Sequence, residues 1–193
     1  MKRYEEYKDT GIGWLPQMPK HWELGQLRKY IRLVSKKGFP EKQLLSVTRE
    51  QGVIVRDTES KEENHNFIPE DLSGYKYVEK GHFVINKMKS WQGSYGVSAY
   101  EGIVSPAYYV CDLSFPNKVF FGWAIRSSAY VNFFAQHSKG IRVGQWDLSP
   151  IALKSIPFFV PPLAEQEKIV SYLESKTLSI DTYVAERERV TAA

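Results

Sequence analysis

The sequence predicts an α+β fold: a mixed β-sheet domain with flanking helices, followed by one long C-terminal helix of the coiled-coil type. Three observations predict it. Short apolar stretches alternate with glycine turns between Tyr75 and Val110, as strands of about five residues do. Between Val119 and His137, the residues Phe120, Trp123, Ala124, Tyr130, Val131 and Phe134 recur at spacings of three, four and seven, the period of an amphipathic helix. From Leu163 to Ala193 there is neither proline nor glycine, so a helix beginning there meets no breaker.

In chain order, Tyr7 to Lys20 contains Gly11, Gly13, Pro16 and Pro19. It reads as an extended entry loop that leads into a short helix or strand in the segment HWELGQLRKYIRLV. Trp14, Leu15 and Trp22 are its apolar anchors, best suited to clamping the N-terminal arm to the core. The run QLLSVTREQGVIV, from Gln43 to Val55, alternates in the manner of strands, with Gly52 at a turn. DTESKEENHN, from Asp57 to Asn66, has the composition of a solvated loop, and Pro69 before Glu70 and Asp71 could open a short helix. VEKGHFVIN, SYGVSAY and IVSPAYYV then supply the heart of the sheet. The helix from Val119 to His137 is expected to break near Ser127 and Ser128. After the polar SKGIRVGQWDLSP, the run IALKSIPFFVPPL returns as a strand that ends at Pro161 and Pro162.

The last thirty residues differ in kind. Pro162 suits a first helical turn, and Glu165 and Glu167 lie near the positive end of the helix dipole. Val170, Leu173, Thr177, Ile180, Val184 and Arg187 alternate spacings of three and four, a heptad seam with Thr177 and Arg187 as polar interruptions. An exposed apolar seam is costly in water. Val170, Leu173, Thr177, Ile180 and Val184 are therefore expected to form a helix interface with a partner or a second copy, in preference to the chain's own body. The expected division is a domain over residues 1–161 and a spacer or dimerisation helix over 162–193.

Composition narrows the function. Hydrophobic residues at 42% and charged residues at 25% suit a soluble globular protein, and no stretch approaches the roughly 20 apolar residues of a membrane span. The N-terminus MKRYEEYKD has no apolar segment after it, so a cytoplasmic address is expected. Cys111 is the single cysteine, which excludes an intramolecular disulfide or thiolate cluster. In the apolar run AYYVCDL it reads as a buried, inert thiol. The net charge of +4 is uneven. From Leu163 onward six acidic residues face four basic ones, a net of −2 that leaves +6 on the first 162. A basic body with a near-neutral tail suits a polyanion for the body and a protein for the tail.

No catalytic constellation appears. The sequence lacks GxGxxG after a strand, GxxxxGK[ST], HExxH and GxSxG. His21, His65, His82 and His137 are scattered without metal-ligand spacing, and the acidic group from Glu59 to Glu63 lies in a polar loop. No cofactor or metal is expected, and no catalysis.

Two segments combine cations, hydrogen-bonding side chains, aromatics and glycines: NKMKSWQGSY, from Asn86 to Tyr95, and SKGIRVGQWD, from Ser138 to Asp147. Lysine and arginine neutralise phosphates, Gln, Asn and Arg can read base edges, and glycine lets a backbone approach a groove. If Lys87 and Lys89 end a strand, both face one side while Met88 faces the core. A solvated turn with an aromatic plug explains the same composition equally well.

The sequence resembles the specificity subunits of type I restriction-modification systems. The likeness is carried by YKDTGIGWLPQMPKHWELGQLRKY, by GHFVINKMKSWQGSYGVSAYEGIVSPAYYV and by IPFFVPPLAEQEKIVSYLESKTLSIDTYV, which together span nearly the whole chain. The resemblance implies a target-recognition domain that reads one half of a bipartite DNA site, then a spacer helix that sets the distance to the other half. It also implies methyltransferase (modification) subunits docked around the helices, and the restriction subunit through them. Family members usually hold two such units in tandem; this sequence has one and shows no internal repeat. Two copies could dimerise through the heptad seam, or the sequence is a fragment of a longer subunit, with which an end lacking a helix stop signal agrees. Contact with double-stranded DNA is carried onto Lys87, Lys89, Ser90, Trp91, Gln92, Ser94, Lys139, Arg142, Gln145 and Trp146. The lysines are expected on phosphates, and Gln92, Arg142 and Gln145 on bases. The competing reading is a protein-interaction adaptor that uses its C-terminal helix and carries its basic charge incidentally.

Overall fold

The computed structural model describes residues 4–57, 68–140 and 146–191. Twelve strands and four α-helices follow one another among them: β1 (Tyr7–Ile12), β2 (Leu15–Pro19), β3 (Glu23–Gln26), β4 (Ile31–Val34), β5 (Leu45–Thr48), β6 (Gly52–Val55), β7 (Lys76–Val78), β8 (Phe83–Asn86), β9 (Tyr95–Val97), β10 (Gly102–Val104), β11 (Tyr108–Leu113), α1 (Lys118–Ile125), α2 (Ser128–His137), α3 (Pro150–Ser155), β12 (Pro157–Val160) and α4 (Leu163–Thr191). Single turns of 3-10 helix occur at Leu27–Lys29 and Ser90–Gln92. The fold is α+β with a long final helix, as the sequence predicts. The chain divides into two units, Gly25–Phe158 and Met1–Leu24 with Phe159–Ala193.

In the unit Gly25–Phe158 the central sheet runs β4-β11-β8-β9. All its pairings are antiparallel, with Val110 opposite both Val34 and Val84 and Phe83 opposite Val97. β8 is buried at every position, because both faces of the sheet are covered. On one face Phe83 meets Phe121 of α1 at 5.3 Å and Tyr95 stacks on Phe134 of α2 at 4.0 Å. Val84, which alternation places on the opposite face, joins Leu45, Val47, Val53, Val78, Val104 and Val110 in a buried cluster. The β5–β6 hairpin therefore caps the second face, and its β-branched residues suit a pleated, buried surface. β10 pairs antiparallel with β7, and a parallel bridge joins Leu44 to Ile103. Gly102 permits that approach, since a Cβ there would lie 2.4 Å from the carbonyl oxygen of Gln43.

The helix foreseen over Val119–His137 is two helices, broken where expected. Asn117 caps α1 by accepting from Phe120 N at 2.9 Å, and Ser127 is extended, at ψ 156°, ahead of α2. Cys111 is fully buried, and burial pushes its thiol up to about 12, which matches the inert reading.

Three local expectations are corrected. Tyr7–Lys20 is no loop but the hairpin β1–β2, with Tyr7 opposite Pro19 and Asp9 opposite Gln17. Its first strand, YKDTGI, is largely exposed and mostly polar, and its second, LPQMP, carries two prolines, so no apolar alternation announced them, while Asp9 Oδ1 accepts from Gly11 N and Gly11 takes φ +72°. Pro69 opens no helix; Asp71 instead accepts from Ser73 N at 2.8 Å and turns the chain toward β7. The strand expected through IALKSIPFFVPPL is α3 followed by β12. Ser149 caps α3, accepting from Ala152 N, and Pro150 occupies the first turn, both ordinary helix starts. The loop expected at Asp57–Asn66 falls almost wholly outside the described residues.

In the unit of Met1–Leu24 and Phe159–Ala193, the carboxylate of Glu165 collects three donors. Tyr4 Oη donates to it, His21 Nε2 lies 2.8 Å from Oε2 and Trp22 Nε1 donates to the same oxygen at 3.2 Å. The clamp expected of the tryptophans is thus a polar one through Trp22, while Trp14 is 37% exposed. α4 spans 29 residues, about 43 Å at 1.5 Å per residue. Val170 and Leu173 of its seam are half-buried, and Thr177, Ile180 and Val184 are exposed. No helix among the described residues is long and apolar enough to cross a membrane.

Candidate nucleic-acid interface

Where β8 ends, Asn86 turns the chain out of the sheet. Its Oδ1 accepts from Met88 N at 3.2 Å, its carbonyl accepts from Lys89 N at 3.0 Å, and its own N–H donates to Ser94 O across the loop at 3.0 Å. The 3-10 turn Ser90–Gln92 follows, and Gly93, at φ +95°, ends it in the left-handed region that favours glycine. Lys87 to Lys89 therefore lie in a turn and not on a strand end. Met88 is 54% exposed instead of facing the core, because a turn breaks the two-residue alternation on which that expectation rested.

The second segment is held against the first. Lys139 and Asp147 exchange backbone hydrogen bonds at 3.0 and 2.8 Å. Leu148 N donates to Lys87 O at 3.2 Å, Lys87 Nζ lies 3.4 Å from Asp147 Oδ1, and the hydroxyls of Ser90 and Ser138 meet at 3.3 Å. Trp91 and Trp146 pack with ring centroids 5.0 Å apart and an interplanar angle of 48°. Two segments chosen from composition alone thus form one surface feature.

Lys87, Lys89, Trp91, Lys139 and Trp146 gather at this junction, with Lys89 and Lys139 exposed and Lys87 half-buried. Trp91 Nε1 is buried without a hydrogen-bond partner among the described residues. Gln92, half-buried, lines a neighbouring cleft with Arg49. Ser90 and Ser94 are only 0% and 3% exposed; Ser90 Oγ donates to Lys87 O, and the fold uses both as loop scaffold, out of reach of a ligand. Arg142 and Gln145 lie outside the described residues.

Topology adds cations that spacing along the chain could not reveal. Lys76 of β7 donates from Nζ to Tyr108 O at 2.7 Å, and Tyr108 sits opposite Asn86. Partial burial, then the neighbouring charges of Lys37 and Lys87, hold the Lys76 ammonium below its ordinary pKa. Lys37 and Lys87 thus both act against the charged form of Lys76. The only sequence hint was the doublet Lys36–Lys37. Among the described residues no cluster of His, Cys, Asp or Glu could hold a metal ion. The chemistry on offer is charge neutralisation, stacking and hydrogen bonding.

No family model and no curated protein matches the sequence, but solved structures do match the fold. The HsdS subunit from Thermoanaerobacter tengcongensis superposes with a TM-score of 0.59 at 14% identity, over 90% of this chain and 46% of that one. A structure described for complex assembly and conformational transition of the type I R-M system gives 0.61 at 14% identity, with the same coverage. The type I restriction-modification S subunit from M. genitalium gives 0.53 at 10% identity, over 85% of this chain and 41% of that one. The chain spans less than half the length of these solved chains. Over nine-tenths of its residues it has the fold of type I restriction-modification S subunits.

Proposed function

We propose that this chain is a sequence-specific DNA-recognition module of a type I restriction-modification system, reading one half of a bipartite site and catalysing nothing itself. The observation that carries the reading is the junction at Trp91 and Trp146. Two chain segments rich in lysine, glutamine and tryptophan are tied together at one end of the sheet, in a fold otherwise seen in S subunits. Lys87, Lys89 and Lys139, joined by Lys37 and Lys76, hold phosphates; Trp91 and Trp146 brace the loops; Gln92, Arg142 and Gln145 approach the bases. α4 is the spacer, and its seam at Val170, Leu173, Thr177, Ile180 and Val184 packs against a second helix, from another copy or a longer chain. Methyltransferase subunits dock on that assembly in the cytoplasm, and the restriction subunit joins through them. The adaptor reading draws on one observation, the exposed apolar residues of α4, which the proposal already assigns to helix pairing.

The test is methylome sequencing of cells that express the chain with a cognate methyltransferase subunit. A new methylated, bipartite motif that disappears in a Lys87→Ala, Lys89→Ala, Lys139→Ala variant supports the reading. An unaltered motif in that variant overturns the assignment of the junction, and a purified chain that shows no salt-dependent affinity for duplex DNA overturns DNA recognition itself.

A further inference from the structure

Beside the junction lies a second polar cleft, of about 390 Å³, lined by Arg49, Gln92, Arg126, Ser128 and Asn132 with Gly93 and Val131. Three elements meet there: the β5–β6 turn, the 3-10 turn Ser90–Gln92 and the start of α2. None of the lining residues is a carboxylate. Arg126 builds the wall, donating from Nη1 to Tyr95 O at 2.9 Å and from Nη2 to Arg49 O and Glu50 O at 2.9 and 2.7 Å. All three acceptors are neutral carbonyls, so none of these bonds offsets the positive charge of the guanidinium, and it fixes the backbone of the turn that carries Arg49. Gly52 makes room for it. A Cβ at Gly52, where φ is +75°, would stand 2.9 Å from Arg126 Nη1. Arg49 itself is exposed and has no ion-pair partner among the described residues.

A held arginine beside an exposed one without an ion-pair partner among the described residues, flanked by two side-chain amides and a hydroxyl, is chemistry suited to a phosphodiester. We propose that this cleft is a DNA-phosphate site adjoining the base-reading loops. Arg49 makes the charged contact, Gln92 and Asn132 orient the phosphate oxygens, and Arg126 acts as a positioning residue that sets Arg49. This rests on the DNA-recognition reading and adds an anchor that composition did not reveal, because Arg49 lies far from both loops in sequence and Asn132 sits in α2, outside either one. It also alters the part of Gln92, which lines this cleft and is assigned to the phosphate backbone.

Arg49→Gln, Asn132→Asp and Lys89→Gln variants of the full chain are titrated with a 30-base-pair random-sequence duplex across a salt series, with thermal melting as the check on folding. Arg49 and Asn132 are exposed, so unchanged melting is expected. Arg49→Gln is expected to weaken binding about 3- to 10-fold near 0.1 M salt and to make the log–log salt slope less steep by about 0.9, one phosphate contact. Asn132→Asp, which puts a carboxylate in the cleft, weakens it further. If Lys89→Gln lowers the slope but Arg49→Gln and Asn132→Asp bind as the parent does, the cleft is not a phosphate site and the junction reading survives. If the parent chain shows no salt-dependent binding, both readings fall.

Discussion

Lys87 and Asp147 are ion-paired at 3.4 Å in the middle of the surface assigned to DNA, so the one carboxylate of the junction competes with phosphate for the lysine. A partly exposed pair of this kind contributes about 0–1 kcal/mol to stability, while its charge balance acts directly on a polyanion. Asp147→Asn is therefore expected to leave the urea midpoint almost unchanged and to raise affinity for duplex DNA severalfold at low salt, with a steeper salt slope. The backbone bonds that tie Asp147 to Lys139 do not depend on the side chain and persist. Fluorescence anisotropy on parent and variant decides it; weaker binding in the variant would mean that Asp147 itself accepts a hydrogen bond from the DNA.

Gly102 tests the packing that holds the second face of the sheet. A Cβ there would meet a backbone oxygen, Gln43 O, at 2.4 Å and Leu45 Cγ at 2.8 Å, and a carbonyl in a paired segment cannot swing aside. Gly102→Ala is expected to cost about 2–3 kcal/mol, the upper part of the usual range for overpacking, seen as a lower urea midpoint with unchanged slope. Gly74→Ala, whose Cβ would meet nothing within 4 Å, serves as the neutral comparison.

How far these sites were legible in the sequence depends on the range of the interaction that makes them. The break between α1 and α2 at Ser127 and the start of α4 after Pro162 are local events, governed by capping and by proline, and a few residues suffice to read them. The hairpin β1–β2 was missed because β1 is mostly polar and exposed and β2, LPQMP, carries two prolines, so no apolar alternation marked either strand. α3 was missed although Ser149 and Pro150 announce it, since the apolar run behind them matched a strand as well as a helix. The two loop segments could be chosen by composition, but not their contact through Trp91 and Trp146. The cations Lys37, Lys76 and Arg49 could not be assigned at all. They lie outside both loops in sequence and are brought near them by the fold: Lys76 Nζ donates to Tyr108 O, opposite Asn86, and Arg126 ties the β5–β6 turn to Tyr95 O.

Glu165 carries the next prediction, on pH. Partial burial would raise its carboxyl pKa, but the hydrogen bonds from Tyr4, His21 and Trp22 outweigh burial and hold it below its ordinary value of 4.5. A depressed carboxylate gives stability that is fully present above the unfolded value and is lost as pH falls through the lower folded value. The unit containing Tyr4, Trp22 and α4 should therefore weaken below about pH 4.5, as the unfolded chain begins to bind the extra proton. Glu165→Gln removes the titrating group, so its stability falls less steeply over the same acid range. Thermal melts of parent and variant between pH 3 and 6 check this, and equal pH slopes would show that the three donors do not favour the ionised form.

The seam of α4 makes the remaining prediction. Ile180 is 61% and Val184 46% exposed, so within a single chain their replacement should change stability by less than about 0.5 kcal/mol. If the seam pairs with a second helix, the same replacement buries a charge in an apolar interface, which is costly. Ile180→Asp with Val184→Asp is expected to leave the melting temperature of a dilute sample unchanged and to abolish concentration-dependent association measured by sedimentation equilibrium. Duplex DNA affinity per chain should persist, because the junction at Trp91 lies in the unit Gly25–Phe158 and the seam does not. Association that survives both aspartates would move the interface off this face of α4. Loss of DNA affinity along with association would instead show that two copies must read the DNA together, which an exposed seam on a 29-residue helix is long enough to arrange.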